Sequence, residues 1–447
     1  MDPSNDPSKF CFDNEGIVNA VELFFENPDK AASTYGVIGT WPTCKVTNLS
    51  GYSVIANSYQ LFGNKILFNE DISSWDISSV TSLENTFYHA DAFNGNISTW
   101  DVSSVTSLDY TFGYGTSFNQ DDISVWDISS ITSLVGTFFF AEAFNGSIAT
   151  WDVSFVTSLY YTFYGAKSFN GDISAWNSPS LTTLYYTFYE ATAFNSDMAW
   201  DVSSVVSLAG TFYSALAFNG NIETWDVSSV TSLKHTFHSA KKFNGDISTW
   251  DISSVSSLAH TFYSAKIFNG DISTWDTSSV TSLYQTFFSA IKFNSHIPAW
   301  NISAINSLDD TFYNADTFNG DILTWDVSTV TSLYYTFGDA VSFNGDILAW
   351  DISLATSLEG IFGFAEAFNS NIMTWDVSSV YSLSSTFDSA KSFNIDISAW
   401  DVSSVNYLEY AFYEAISFHQ CLEWQLMEGA ITTHMFTGSS GRIALTC

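Results

Sequence analysis

A 25-residue pattern of apolar and polar positions repeats along the chain from Phe68 to Ala415. A representative copy, residues 243–267, reads FNGDISTWDISSVSSLAHTFYSAKI. Its apolar positions are Phe243, Ile247, Trp250, Ile252, Val255, Leu258, Phe262 and Ala265. These side chains are too few to close a core within one copy, so neighbouring copies must stack to bury them. The pattern therefore predicts a repeat array.

The tryptophans set the register of this array. From Trp75 to Trp424 they are spaced by 24 to 26 residues, and Trp41 belongs to an imperfect first copy. Within a copy, D-I-S-T-W and S-V-T-S-L are rich in β-branched residues and predict two short strands, while T-F-Y-S-A predicts a helical or 3₁₀ turn. Strands of successive copies would pair in parallel. We therefore expect an α/β right-handed solenoid with short parallel strands and one short helical turn per 25-residue coil.

The pattern divides the chain into four parts, capped at both ends. Residues 1–15 are polar and predict a flexible N-terminal arm. Residues 16–67 predict an N-terminal cap with a short helix, ending near Asn27 before a proline, and a degenerate first repeat. Residues 68–417 hold about fourteen 25-residue repeats. Residues 418–447 predict a C-terminal cap, because an uncapped end would expose apolar surface.

Composition narrows the class of partner. The chain has 47 Asp and Glu against 12 Lys and Arg, a formal net charge of −35, which opposes binding to nucleic acid or an anionic membrane. An apolar fraction of 46% with 40 Phe, 22 Tyr and 16 Trp argues against disorder. No apolar run is long enough for membrane insertion. The simplest explanation of the acidic composition is that it keeps the protein soluble. The more specific hypothesis is that the protein binds a cation or a basic partner.

Four cysteines lie outside the well-formed repeats. Cys11 and Cys44 precede them, whereas Cys421 and Cys447 lie at or after their end. This placement predicts two capping disulfides, Cys11 with Cys44 and Cys421 with Cys447. Disulfides would indicate an oxidising compartment, hence an extracellular or cell-surface location.

Columns of polar residues raise the question of metal binding. From Trp75 to Trp400, the residue after each tryptophan is Asp, except for Asn177 and Asn301. These two asparagines keep the side-chain oxygen and drop the charge, which favours a turn-forming role over metal ligation. A looser acidic column could share Ca²⁺ between coils, so we expect no required cofactor and calcium as at most a modest stabiliser. His235, His238 and His260 could lie close enough together to bind Zn²⁺ or Cu²⁺. They are better explained as residues that fill variable surface positions, so we predict no metal site.

Catalytic motifs are missing from the sequence. It holds no G-x-S-x-G, H-E-x-x-H, G-x-x-x-x-G-K or G-x-G-x-x-G, and the repeat explains its many serines. We therefore predict no catalytic residues and no enzyme activity.

The repeat F-N-x-D-I-S-x-W-D-V-S-S-V-T-S-L-x-x-T-F-x-x-A resembles the BspA-like leucine-rich-repeat surface proteins, over residues 41–436. The chain departs from that family in carrying Leu258 where Met is common and Thr261 before Phe262. The resemblance implies a leucine-rich-repeat-like solenoid displayed at or outside a cell surface for adhesion or recognition. It transfers no catalytic residues.

The variable positions of each repeat predict where a ligand binds. They are the two residues after Leu and the two after Thr-Phe, and in two consecutive coils they are rich in tyrosine. The predicted ligand-binding residues are Tyr160, Tyr161, Tyr164, Tyr185, Tyr186 and Tyr189. Tyrosine suits a surface that meets apolar groups at one end and water at the other, so we expect a protein or glycan partner at a cell surface. Equally, these tyrosines could shield the edge of each coil.

A second hypothesis is a cation-binding or ice-interacting structural solenoid. It rests on the acidic columns and on a column of Thr before Trp, including Thr99, Thr150 and Thr274, which Val125 and Ala175 interrupt. The oligomeric state is left open by the sequence.

Overall fold

The computed structural model describes residues 10–50 and 61–444. The chain forms two compact units. The first unit comprises Met1–Val205 and Ser214–Trp225, and the second comprises Val206–Tyr213 and Asp226–Cys447. The predicted arm at residues 1–15 falls mostly outside the described residues.

Two helices precede the coils of the first unit. Helix α1 spans Asn14–Glu26, helix α2 spans Pro28–Tyr35, and a 3₁₀ helix follows at Ile38–Thr40. The first helix ends at Glu26 with Asn27 as its C-cap, at the position expected from sequence, but the chain does not leave helical structure there. Pro28 instead begins α2, because a proline has no amide hydrogen to lose at a first helical position and its φ angle suits it.

The disulfide between Cys11 and Cys44 is present, with a Cα–Cα distance of 5.6 Å. It joins the segment before α1 to the first coil. Cys447 lies outside the described residues, so its pairing with Cys421 stays a prediction. Near that end, strand β1 (Cys421–Leu422) pairs in parallel with strand β2 (Arg442–Ile443).

Within each unit, neighbouring coils meet at single parallel bridges and not at the two short strands that we expected per coil. The bridges join one residue of each S-V-T-S-L segment to its counterpart about 25 residues on, as in Ser257 with Ser282 and Ser332 with Ser357. No bridge involves a D-I-S-T-W segment among the described residues. The pairing stops after one residue because the backbone turns left-handed two positions after Leu, as at His260 (φ 57°).

The predicted helical turn at T-F-Y-S-A is also absent from the described coils. In residues 260–265, every second amide donates within its own coil, three residues back, as Thr261 does to Leu258 at 3.0 Å. The intervening amides donate to the next coil, as Phe262 does to Thr286 at 2.9 Å. This alternation replaces the i to i−4 bonds of a helix with consecutive turns that tie each coil to its neighbour.

Columns of aromatic side chains fill the interior of each unit. In the second unit, Phe262 stacks on Phe268 at 4.0 Å between ring centroids and on Phe287 of the next coil at 5.5 Å. Trp300 is 2% exposed, stacks on the tryptophans of both adjacent coils and donates its indole hydrogen to the carbonyl of Ile272 at 3.0 Å. Coil stacking therefore both buries the rings and satisfies their polar atoms.

Polar columns tie the coils together at the surface. The asparagine after the repeat Phe is exposed in most coils, and its side-chain oxygen accepts from the backbone amide of the next asparagine, as Asn269 does from Asn294 at 2.7 Å. A buried threonine column does the same inside: the Thr261 hydroxyl lies 2.7 Å from the Leu258 carbonyl and 3.0 Å from the Leu233 carbonyl. These contacts explain the constancy of both columns by the fold.

Candidate recognition surface

The variable columns of the repeat lie on left-handed turns. The residue two after Leu and the residue two after Thr-Phe have positive φ angles, whether the side chain is Tyr161 (φ 60°), His235 (φ 60°) or Ser385 (φ 52°). The backbone conformation is thus set by the coil and not by the side chain. Variation at these positions is therefore available for surface chemistry.

The six predicted tyrosines come together in the first unit. Each of them is half-buried. The rings pair between the two coils: Tyr160 with Tyr185 at 5.4 Å, Tyr161 with Tyr186 at 5.8 Å and Tyr164 with Tyr189 at 4.2 Å. We call these six residues the tyrosine cluster.

Edge contacts complete the tyrosine cluster within each coil. The rings of Tyr161 and Tyr164 meet edge to face at 5.2 Å, and those of Tyr186 and Tyr189 at 5.3 Å. Stacked pairs between coils and edge contacts within coils leave each tyrosine held by at least two other rings. A surface fixed in this way loses little side-chain entropy on binding.

Burial keeps the hydroxyls of Tyr161 and Tyr186 neutral at physiological pH. Burial, followed by a hydrogen bond with Tyr185, raises the pKa of Tyr186 to about 12. Burial, followed by a hydrogen bond with Tyr160, also raises the pKa of Tyr161 well above its usual value. These two tyrosines therefore offer rings and neutral hydroxyls, which suit contact with a partner and not proton transfer.

Aromatic residues that sequence reasoning missed extend the tyrosine cluster into earlier coils. Phe139 lies 5.0 Å from Tyr164 and 5.3 Å from Tyr114, and Phe140 lies 5.1 Å from Tyr164. The signal was in the same variable columns of the two preceding coils. The large rings in these columns pack against glycines of the next coil. A Cβ atom at Gly165 would lie only 2.4 Å from the Phe140 ring, which is too close for any side chain. The glycine is thus explained by its aromatic neighbour.

His235, His238 and His260, which the sequence analysis considered as metal ligands, lie near one another in the second unit. The rings of His235 and His260 stack at 4.4 Å, and His238 lies between the rings of Tyr213 and Tyr263 at 4.1 and 4.4 Å. The histidines therefore belong to aromatic stacks. In the described part of the chain, no group of three or more His, Cys, Asp or Glu side chains is arranged to hold a metal ion.

The side-chain oxygens of the Asp column after Trp and of the Thr column before Trp form hydrogen bonds within and between the coils. Asp251 accepts from the backbone amide of Ser253 at 3.0 Å, and hydrogen bonds from Ser253 lower the pKa of that carboxyl. The Thr274 hydroxyl, before Trp275, donates to the carbonyl of Ser248 in the preceding coil at 2.9 Å. The Asp column has the contacts of turn-forming residues.

The family model described as "Mycoplasma protein of unknown function, DUF285" matches residues 19–122, 120–199, 198–298, 281–380 and 331–443. The chain belongs to the DUF285 family. The description of this family does not mention BspA-like proteins, so the similarity to them remains a resemblance. No curated protein sequence matches the chain.

Two solved structures that are similar to this DUF285 chain are described as a leucine-rich cell-surface protein and a leucine-rich-repeat protein. A leucine-rich cell-surface protein from Faecalibacterium prausnitzii is 14% identical, with 67% of this chain and 86% of that chain covered and a TM-score of 0.33. A leucine-rich-repeat protein from Eubacterium ventriosum is 13% identical, with 88% of each chain covered and a TM-score of 0.29. With TM-scores below 0.5, neither supports a transfer of function. No helix among residues 10–50 and 61–444 is long and apolar enough to cross a membrane.

Proposed function

We propose that this DUF285 chain is a non-enzymatic recognition protein, extracellular or at a cell surface, that binds a protein partner through the tyrosine cluster. The observation that carries the proposal is the cluster itself, six half-buried tyrosines packed across two coils. Tyrosine is enriched among the residues that dominate protein interfaces, since it combines a large apolar ring with a polar tip.

The ring packing favours a protein over a glycan as the partner. Tyr164 and Tyr189 stack with an angle of 8° between their planes, and Tyr160 and Tyr185 with 9°. Each ring thus covers a face of another ring. Stacking leaves fewer open aromatic faces for a sugar to pack on, whereas a protein side chain can also pack against ring edges and accept hydrogen bonds from the hydroxyls.

The disulfide supports the proposed location. Cys11 and Cys44 are bonded in the segment that leads into the first coil, and such bonds persist in oxidising compartments. A protein found in the cytosol with free thiols would contradict this part of the proposal.

The test is a pair of binding screens with the purified chain. We expect the immobilised chain to retain specific proteins from a detergent extract of surface-labelled cells and to give no signal on a glycan array. Retention of defined glycans without any protein would overturn the choice of partner.

The alternative, a cation-binding or ice-interacting structural solenoid, has its own test. Thermal hysteresis or reshaped ice crystals in a dilute solution of the chain would support it, and their absence would remove the ice-binding form.

A further inference from the structure

A second feature of the surface lies in three consecutive coils near the C-terminal end of the second unit. A shallow depression of about 630 Å³ opens there. Its lining includes Tyr381, Tyr407 and Tyr410, the carboxylates of Glu359 and Glu409, and small residues such as Ser384. We call it the Tyr-Glu groove.

The groove exists because the repeat columns are broken there. The column of Tyr407 holds Ser or Thr in every other array coil from Ser82 to Ser382, and the column of Tyr381 holds Thr in most coils. Tyr381 is 50% exposed. The core does not require either tyrosine, because the other coils pack without them, so a surface role is the better explanation.

The depth of the groove follows from side-chain size in the three coils. The middle coil contributes Ser384 and Ser385 in the variable column, whereas the coils on either side contribute Glu359 and Glu409. Successive coils bridged in parallel lie about 4.8 Å apart, so the backbones of the two glutamates lie about 10 Å apart. Small residues between two large ones leave room for an inserted side chain.

The groove is negatively charged and aromatic. The Ser384 hydroxyl donates to Glu409 Oε2 at 3.1 Å, and the rings of Tyr381 and Tyr407 meet edge to face at 5.1 Å. Neither Glu359 nor Glu409 forms an ion pair with a basic side chain among the described residues. Two carboxylates without cationic partners beside exposed phenol rings favour a cation.

We propose that the Tyr-Glu groove binds an arginine side chain of an extended basic segment in a protein partner. A guanidinium group is planar, so it can stack on a tyrosine ring while it donates two parallel hydrogen bonds to a carboxylate. A lysine ammonium offers a point charge without that plane. The groove lies in the second unit and does not depend on the tyrosine cluster of the first.

The test measures binding of fluorescent tetra-arginine and tetra-lysine peptides to the whole chain. We expect tetra-arginine to bind at least about threefold more tightly than tetra-lysine, because cation–π contacts at exposed sites favour the guanidinium modestly. The variant Glu359→Gln/Glu409→Gln should weaken tetra-arginine binding about tenfold, since it removes charged hydrogen-bond acceptors.

Two further variants separate the groove from general attraction by an acidic chain. Tyr381→Thr/Tyr407→Ser restores the residues that other coils carry, so it should fold and still bind tetra-arginine at least about threefold more weakly. Glu70→Gln/Glu84→Gln removes the same charge from exposed positions of the first unit and should change the affinity by less than about twofold.

Three results would overturn the groove proposal. They are equal losses in the groove and control variants, no loss in the tyrosine variant, and equal binding of the two peptides. Because the groove variants leave the tyrosine cluster unchanged, the peptide result and the capture of a partner by the tyrosine cluster can fail independently of each other.

Discussion

Three histidines in adjoining coils of the second unit make the stability of that unit depend on pH. The Nδ1 atoms of His235, His238 and His260 are buried without a hydrogen-bond partner. Burial, followed by the neighbouring histidines, lowers the pKa of His235 to about 4 and of His238 to about 3. Burial, followed by Lys234, also lowers the pKa of His260. The folded unit therefore holds all three rings neutral near pH 7.

The direction of the effect follows from proton binding in the two states. Well above pH 6.5, the ordinary pKa of histidine, neither the folded nor the unfolded chain protonates these rings. As the pH falls from about 6.5 towards 4, the unfolded chain binds protons that the folded chain does not bind. The free energy of unfolding must therefore fall over this window.

The magnitude is limited by solvent. At pH 4.5 a fully shifted histidine would lose about 2.7 kcal/mol relative to pH 7.5. His235 and His238 are half-buried, so solvent screening reduces this to about 1 kcal/mol each, or about 2 kcal/mol together, and His260 adds to the loss in the same direction.

The assay is urea unfolding followed by tryptophan fluorescence at pH 7.5, 6.5, 5.5 and 4.5. The control is the variant His235→Gln/His238→Tyr/His260→Gln, because Gln285 and Tyr263 already occupy these columns. Carboxyls such as Asp310 and Asp339, whose pKa values are raised mainly by burial, act in the opposite direction but occur in both proteins. Parallel curves for the two proteins between pH 6.5 and 4.5 would refute the reasoning.

Further predictions concern the core, the cap and calcium. Trp300→Phe should lower the free energy of unfolding by about 2–3 kcal/mol, because it removes a hydrogen bond and leaves a cavity. The control Thr311→Val should lower it by about 1 kcal/mol or less, since Ile361 is buried in the column of Thr311. Equal urea midpoints for the two variants would contradict this prediction. Cys11→Ser/Cys44→Ser should destabilise the first unit by about 3–4 kcal/mol for a separation of 33 residues, as measured by thermal unfolding. Unchanged unfolding would contradict it. A chelator should shift the melting temperature by no more than about 3 °C, and a collapse of many degrees would show that the acidic columns hold calcium.

The apolar pattern was sufficient to predict which residues stack between coils. Each buried ring recurs once per period, so the columns of Phe262 and Trp300 could be read directly from the repeat. The backbone between them could not be predicted in this way. Its turns depend on positive φ angles at residues such as His260 and Ser264, and neither is the glycine that would have signalled them.

The tyrosine cluster and the Tyr-Glu groove differed in how visible they were in the sequence. The cluster stood out as tyrosines in variable columns, although its extension through Phe139 required ring contacts between coils. The groove was marked only by two substitutions, Tyr381 and Tyr407, in nearly constant columns. The sequence does not reveal that these two tyrosines line the same depression as Glu359 and Glu409, because that depends on how the coils stack.

The central claim is that the tyrosine cluster binds a partner without supporting the fold, and the variant Tyr161→Ser/Tyr186→Ser tests it most directly. Serine already occupies this left-handed column at Ser385, so the variant should melt within a few degrees of the original chain. In the presence of excess tetra-arginine, which occupies the Tyr-Glu groove, it should retain none of the surface-labelled proteins that the original chain still captures, whereas the control Tyr284→Ser/Tyr334→Ser should retain all of them. A variant that unfolds, or a control that loses as much binding, would contradict the claim.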